Sequence, residues 1–368
     1  QHYFNMQLNQ IPKTTVNING ENHLYFSGTS YLGMSNLLEF HEIIFKNIKK
    51  WGSSFGSSRN ANIKLDVYEK AERKISKFLK REDCVAVSSG TLAGLLALKT
   101  LEKIGTSFFY MPKTHPAILP KNAIPVFEEN NLNSLLLNSK NETICIVVDA
   151  IATLETAPYN FDFLKLISNQ KKVYLLVDES HSLGVLGEKG NGISASINHS
   201  SHIELIVVSS LNKAFSVSGG VIAGNKNFIN LVKKESLFIG SAPMNPAFLE
   251  SFIDAQELYQ NQLKKLKENC SYVFDKIKNL EKLEIDENYP VFFVDDEKIA
   301  DNLLSKNIII TSFYYPTIIK KVNRIVLNAN HTKEQLDFLC KNLLAQKNDL
   351  LFLYIISLLF NILIISCY

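Results

Sequence analysis

An excess of charge of either sign is the first thing missing from this chain. Its 39 Lys and Arg stand against 36 Asp and Glu, a formal balance of +3, and the basic residues are scattered and not gathered into a patch. That argues against a nucleic-acid partner, whose phosphates reward concentrated positive charge. Cysteine is sparse as well. Cys84, Cys145, Cys270, Cys340 and Cys367 lie far apart with no CxxC pair, and Cys84 and Cys145 fall in apolar strand-like runs, so reduced, buried thiols and a cytoplasmic setting are expected. No internal repeat or low-complexity linker divides the sequence. The opening QHYFNMQLNQIPKTTV has no apolar stretch of the kind a secretory leader carries, although a chain starting at Gln1 leaves its true start open. Long uncharged apolar runs are absent too, with one exception, residues 350–368 (LLFLYIISLLFNILIISCY), which approach the length that crosses a bilayer. A membrane anchor, an apolar element packed on the protein and an extension foreign to the native product all fit that tail, so a membrane-associated location stands beside the cytoplasmic one.

What is present is an ordinary globular composition, 46% apolar and 20% charged over 368 residues, long enough for one large domain and a smaller one. Short apolar runs at 84–87, 108–111, 124–127, 144–149, 173–177 and 203–208 alternate with polar or helical stretches such as 37–50, 65–79 and 92–101. Such alternation is the pattern of an α/β fold with a parallel sheet. Further helical patterns cover 228–238 and about 247–280. From residue 283 the texture changes to short strands at 291–294, 308–311 and 324–327, with helices near 296–306 and 332–345. The expected division is an N-terminal arm over 1–36, a large domain over 37–246, a small α+β domain with its connecting helix over 247–346, and the apolar tail over 347–368.

Three places in this pattern carry chemistry. The run ending at Val87 is followed by Ser88-Ser89-Gly90-Thr91 and a helix, and strand, small-residue turn and helix N-terminus together make an anion site. Simple N-capping by Ser89 or Thr91 is the competing reading. The loop Trp51–Arg59 fits an anion cradle or a plain connector equally. The run 173–177 ends in Asp178-Glu179-Ser180-His181-Ser182-Leu183-Gly184, an acid at the carboxyl end of a buried strand, where a turn-capping Asp is the alternative. The run 203–208 leads through Ser209-Ser210-Leu211-Asn212 to Lys213, then Ser216, Ser218, Gly219 and Gly220. Taken alone, Lys213 reads as a solvated surface lysine. Together, a phosphate anchor, a carboxylate for a ring nitrogen and an amine for an aldehyde are what pyridoxal phosphate requires.

The segments 178–184 and Ser210-Leu211-Asn212-Lys213-Ala214-Phe215 with Val217-Ser218-Gly219-Gly220 resemble the Asp-Glu-Ala-His-Ser and Thr-Leu-Gly-Lys-Ala-Phe motifs of the α-oxoamine synthases. These are fold-type-I pyridoxal-phosphate enzymes, among them 8-amino-7-oxononanoate synthase, 2-amino-3-ketobutyrate CoA ligase, 5-aminolevulinate synthase and serine palmitoyltransferase. The resemblance runs from about residue 26 to 344. It implies a large domain with a mostly parallel sheet plus a smaller α+β C-terminal domain, and a cofactor bound covalently by Lys213, which later takes the substrate's Cα proton. It further implies that Asp178 pairs with the ring nitrogen, His181 with the phenolic oxygen, and Ser89, Gly90, Thr91 and Ser210 with the phosphate. His115, in Thr-His-Pro-Ala, would stack on the ring, Thr153 would lend a hydroxyl near it, and Ser241 would reach the phosphate of a partner subunit, making the active unit a homodimer. Arg324 matches the arginine that grips the amino acid's carboxylate.

The departures from the family lie around the substrate. Thr29 replaces the Asn of the family's Ser-Asn-Asp-Tyr-Leu-Gly, Ile63 and Tyr68 stand where Gly and His are usual, and Asn245-Pro246 replaces a Pro-Pro pair. The implied reaction is condensation of an amino acid with an acyl-CoA, releasing CoA and carbon dioxide. Family frequency points to alanine and a pimeloyl donor, a step toward biotin. A transaminase on the same cofactor and a non-catalytic relative acting as a partner subunit are the rival readings.

Overall fold

The computed structural model describes residues 7–152, 154–314 and 320–345, so Thr153 and the apolar tail lie outside the described residues. The chain opens with β1 (Thr15–Ile18) and β2 (Glu21–Phe26), a hairpin closed by Asn19 and Gly20 at φ of 52° and 92°. Such left-handed pairs match the twist of the strands they join. Then come α1 (Leu38–Trp51), α2 (Asp66–Phe78), β3 (Asp83–Val87), α3 (Gly90–Ile104), β4 (Ser107–Tyr110) and β5 (Ile124–Pro125). A small ribbon of β6 (Phe127–Glu128) and β7 (Asn131–Leu132) precedes α4 (Ser134–Leu137), β8 (Thr143–Asp149), β9 (Lys172–Asp178), β10 (Ile203–Ser210) and β11 (Gly220–Gly224). The remainder is α5 (Lys226–Val232), α6 (Ser236–Gly240), α7 (Pro246–Asp254), α8 (Gln256–Ile277), β12 (Leu283–Glu284), β13 (Val291–Val294), α9 (Ile299–Leu304), β14 (Ile308–Tyr314), β15 (Lys321–Val326) and a helix over 333–345.

Contacts divide the chain into two compact units, Thr29–Lys264 and, together, the residues up to Gly28 with those from Lys265 onward. These boundaries differ from the sequence-derived 36/37 and 246/247. Strand pairing explains the first: β2 lies parallel to β14, with Leu24, Tyr25 and Phe26 opposite Ile308, Ile309 and Ile310, so the arm belongs to a six-stranded sheet in the order β1-β2-β14-β15-β13-β12. The second boundary falls inside α8, a continuous helix with no composition break to mark it. Two stretches expected as single helices are each divided. Glu235, buried and ion-paired with Lys103 at 2.7 Å, interrupts 228–238, and Ala255 (φ −89°, ψ 12°) separates α7 from α8.

The larger unit is built on a seven-stranded sheet in the order β3-β11-β10-β9-β8-β4-β5. Its neighbours are parallel except β11, which runs antiparallel to both β10 and β3. The central strands are buried on both faces, which is why their sequences show continuous apolar runs with no alternation. Cys145, Val147, Tyr174, Leu176, Ile206 and Val208 point to one face, where Ala93, Leu96, Ala97 and Leu101 of α3 and Phe228, Ile229 and Val232 of α5 cover them. Ile144, Ile146, Val148, Val173, Leu175, Val177 and Leu205 form the other core with Leu136, Phe163, Leu164, Ile167 and Ile193. Among the described residues no helix is long and apolar enough to cross a membrane.

Candidate active site

Because β3, β4, β8, β9 and β10 run in one direction, their carboxyl ends open on one edge of the sheet, where ligands of such folds collect. Val87, Asp149, Asp178 and Ser210 end four of these strands. The first element of the site is the turn from β3 into α3. Ser89 caps the helix, its hydroxyl accepting the Leu92 N–H at 3.1 Å. The next amides, Gly90 and Thr91, sit at the positive end of the helix dipole with no acid in the first turn, so capping by Ser89 leaves them suited to an anion. Glycine is required here by close approach: a Cβ on Gly90 would lie 2.6 Å from Ser210 Cβ, and one on Gly220 would lie 2.3 Å from the Ser89 carbonyl oxygen. Ser210 thus borders the same cup. Its N–H donates to Ser180 Oγ at 2.9 Å, and its hydroxyl accepts the Asn212 N–H at 3.2 Å.

The second element is the turn carrying Lys213. Leu211 N–H donates to the Gly219 carbonyl at 3.0 Å and Val217 N–H to the Leu211 carbonyl at 3.2 Å, closing the turn on itself. Phe215 drives it into the core, edge-on to Phe252 and Tyr259 at centroid distances of 4.9 and 4.8 Å, and the Tyr259 hydroxyl donates to the Phe215 carbonyl at 3.2 Å. The backbone beneath the half-buried Lys213 is therefore fixed by its neighbours.

The third element is acidic. Asp178 ends β9, half-buried, with Oδ1 accepting the Ser180 N–H at 2.8 Å. Opposite it in the register stands Asp149, the last residue of β8 and only 6% exposed. Burial, then the Asp178 charge, raises the Asp149 carboxyl from 3.8 to about 7, against the opposing pull of the His115 N–H and of Lys213. Asp178, Lys213 and Asp149 hence share one electrostatic environment. Sequence reasoning missed Asp149, although its signal is the one that identified Asp178, an acid closing a buried β-branched run. It also missed Tyr31, almost fully buried, whose hydroxyl meets His181 Nδ1 at 2.8 Å. Glu179, between Asp178 and His181, is wholly buried and binds the Ile193 and Ser194 N–H groups at 3.1 and 2.6 Å, together with the Ser182 hydroxyl. It ties the glycine-rich loop 184–192 to the end of β9.

The remaining expected residues are placed as follows. His115 follows β4 with an exposed side chain; its main-chain N–H donates to Asp149 Oδ2 at 2.6 Å. The Thr29 carbonyl accepts the Tyr31 N–H at 2.9 Å. Ser241 closes α6 and its hydroxyl donates to the Leu237 carbonyl at 2.5 Å; to serve a phosphate it has to give up that bond. Arg324 lies on β15 in the other unit, where its Nε is buried without a hydrogen-bond partner among the described residues. One of its terminal nitrogens reaches the Gly28 carbonyl at 3.5 Å.

The raised Asp149 carboxyl has a consequence for stability. Between the unfolded value of 3.8 and about 7 the folded chain holds a proton that the unfolded chain has lost, so this group lowers stability progressively as pH rises through that window. Asp149→Asn removes the proton exchange. The fall in denaturant midpoint across that pH range is expected to be shallower in the variant than in the parent, and the variant to gain most at the upper end; parallel profiles contradict the assignment.

Comparison with known proteins places this geometry. Residues 134–343 match the family described as aminotransferase class I and II, and residues 62–198 match the DegT/DnrJ/EryC1/StrS aminotransferase family. The 8-amino-7-oxononanoate synthase of Petrotoga mobilis is 29% identical over 353 residues, covering 88% of each chain. Among solved structures, 8-amino-7-oxononanoate synthase from Francisella tularensis superposes with a TM-score of 0.70 at 23% identity, covering 90% of this chain and 99% of that one. A serine palmitoyltransferase from S. paucimobilis, solved with PLP and myriocin bound, reaches 0.80 at 18% identity over 94% and 92%. These structural likenesses show the fold, that of the fold-type-I enzymes.

Proposed function

The chain belongs to the aminotransferase class I and II family, and from that premise we propose that it is a pyridoxal-phosphate-dependent acyltransferase of the α-oxoamine synthase kind. It joins an amino acid to an acyl-CoA and releases CoA and carbon dioxide, with alanine and a pimeloyl thioester as first substrates to try, in line with the Petrotoga relative. The observation that carries this reading is the meeting, at one sheet edge, of a closely packed glycine turn (Gly90, Gly220) bordered by Ser210, the strand-ending acid Asp178 and a fixed lysine turn.

These residues fit the cofactor. Close packing admits only glycine at 90 and 220, and the amides at the start of α3 and the Ser210 hydroxyl suit a phosphate dianion. Pyridoxal phosphate, when bound, supplies an aldehyde for an amine and a protonated ring that accepts the electron pair of a breaking bond. Asp178 holds the ring nitrogen's proton, and its bond from the Ser180 N–H keeps the carboxylate aimed. His181, fixed by the Tyr31 hydroxyl, contacts the phenolic oxygen. Lys213 Nζ withdraws the proton at the amino acid's Cα and, on its closed turn, returns to the same position each cycle. The Arg324 guanidinium is the group for the amino acid's carboxylate, which it suits through paired hydrogen bonds. His115 covers the ring, Thr29 borders the substrate, and Ser89 holds the helix end in place through its cap. Thr153 and a Ser241 reaching a second copy of the chain complete the proposed set, with a homodimer as the active unit.

The test is a panel of acyl-CoA thioesters against alanine, glycine and serine, with free CoA and carbon dioxide measured together. Stoichiometric release of both with formation of an amino ketone is expected. Exchange of amino groups with keto acids and no CoA release makes the chain a transaminase, and no turnover by a chain that has taken up the cofactor makes it a non-catalytic relative.

A further inference from the structure

Asp149 has no part in the chemistry proposed above, yet it is buried at the rim of the same site. Its Oδ2 accepts the His115 main-chain N–H at 2.6 Å. On the far side of that residue, Ala117 N–H donates to His115 Nδ1 at 3.1 Å and Ile118 N–H to the His115 carbonyl at 3.1 Å. The ring is thus tied to the short turn 116–118, and the main chain of His115 itself is tied to the end of β8 by the Asp149 carboxyl group. Upstream, the Thr114 hydroxyl lies 2.7 Å from the Met111 carbonyl and 3.4 Å from the Val147 carbonyl of β8, and Met111 N–H donates to that same Val147 carbonyl at 3.0 Å, but none of these bonds reaches His115 itself.

We propose that Asp149 is a positioning residue for His115: its buried carboxyl fixes the histidine's main chain, and through the Ala117 bond the plane of the ring, on the side where the cofactor is received. This rests on the functional reading above for the identity of what His115 covers. The required property is an acceptor oxygen at a fixed point. An ionised carboxylate, a protonated carboxyl and a carboxamide all provide one; a methyl group does not. That matters because burial and then the Asp178 charge, opposed by the His115 N–H and Lys213, bring the Asp149 carboxyl up to about 7, with Tyr159 as the further titratable group beside it. An anchor working by charge would be unreliable there, whereas one working by acceptance holds in both forms.

The experiment uses Asp149→Ala and Asp149→Asn in the full chain, with histidine-labelled protein and the His115 ring resonance assigned by its loss in His115→Gln. In cofactor-free protein, Asp149→Ala is expected to shift or broaden that resonance. Its affinity for pyridoxal phosphate, from an absorbance titration, is expected to fall at least about tenfold, the scale of an N–H left without its acceptor. Asp149→Asn is expected to leave the resonance in place and the affinity within about twofold. An unmoved resonance in the alanine variant overturns the proposal. So does a displaced one in the asparagine variant, which decides the matter by itself if the alanine variant does not fold. A parent chain that takes up no pyridoxal phosphate overturns the functional reading instead, and leaves the resonance comparison standing.

Discussion

Lys213→Ala is expected to lower turnover by at least about ten-thousand-fold while leaving the cofactor-free protein cooperatively folded. In the proposed function Lys213 is both the amine for the aldehyde and the base for the Cα proton, and general-base removal alone accounts for a factor of about 10²–10⁴. The fold is expected to survive because main-chain and aromatic contacts hold the turn. Leu211 pairs with Gly219 and Val217, and Phe215 sits between Phe252 and Tyr259, all contacts that an alanine at position 213 retains. The cofactor's visible absorbance should return to that of the free aldehyde. Turnover within about tenfold of the parent would remove Lys213 from the chemistry.

Gly220→Ala acts on the other half of the site. Gly220 lies between β10 and β3, opposite Ser210 on one side and Val87 on the other. An added methyl would stand 2.3 Å from the Ser89 carbonyl oxygen and 2.7 Å from the Gly90 nitrogen. Both are backbone atoms that cannot rotate away, so either the sheet or the start of α3 must shift. A loss of about 3 kcal/mol in stability is expected, the upper end of ordinary overpacking, with weaker cofactor binding as the amides of the cup move. Gly240→Ala is the matched control. Nothing lies within 4 Å of its added methyl, and its effect should stay within about 0.5 kcal/mol. Equal effects of the two substitutions would show that crowding at the cup is relieved elsewhere.

Much of the larger unit could be read from the residues because burial on both faces writes itself into the sequence as unbroken apolar runs. That pattern located β8, β9 and β10 and, with them, Asp178 and Lys213. Asp149 was passed over for want of an adjoining motif: an acid after a strand becomes informative only when the neighbouring strand is known, and the Asp149–Asp178 pairing is a matter of register. Tyr31 is harder still, since its partner His181 is 150 positions away. The hairpin of β1 and β2 carried its own signal in Asn19-Gly20, a pair suited to two left-handed turn positions, and β14 was legible as the short run at 308–311, but the pairing of β2 with β14 was not. A parallel pairing between distant segments leaves no local trace. The breaks at Glu235 and Ala255 were likewise silent, because helical periodicity continues across them while a buried ion pair or a single off-helix residue decides the outcome.

The pairing of β2 with β14 bears on how the polypeptide is made. Residues 29–264 are contiguous and can condense as they emerge during synthesis, in the usual N-to-C order. The sheet that needs Leu24–Phe26 beside Ile308–Ile310 has no such option. Its opening hairpin leaves the ribosome early and must wait, edge exposed, until nearly three hundred later positions have been translated.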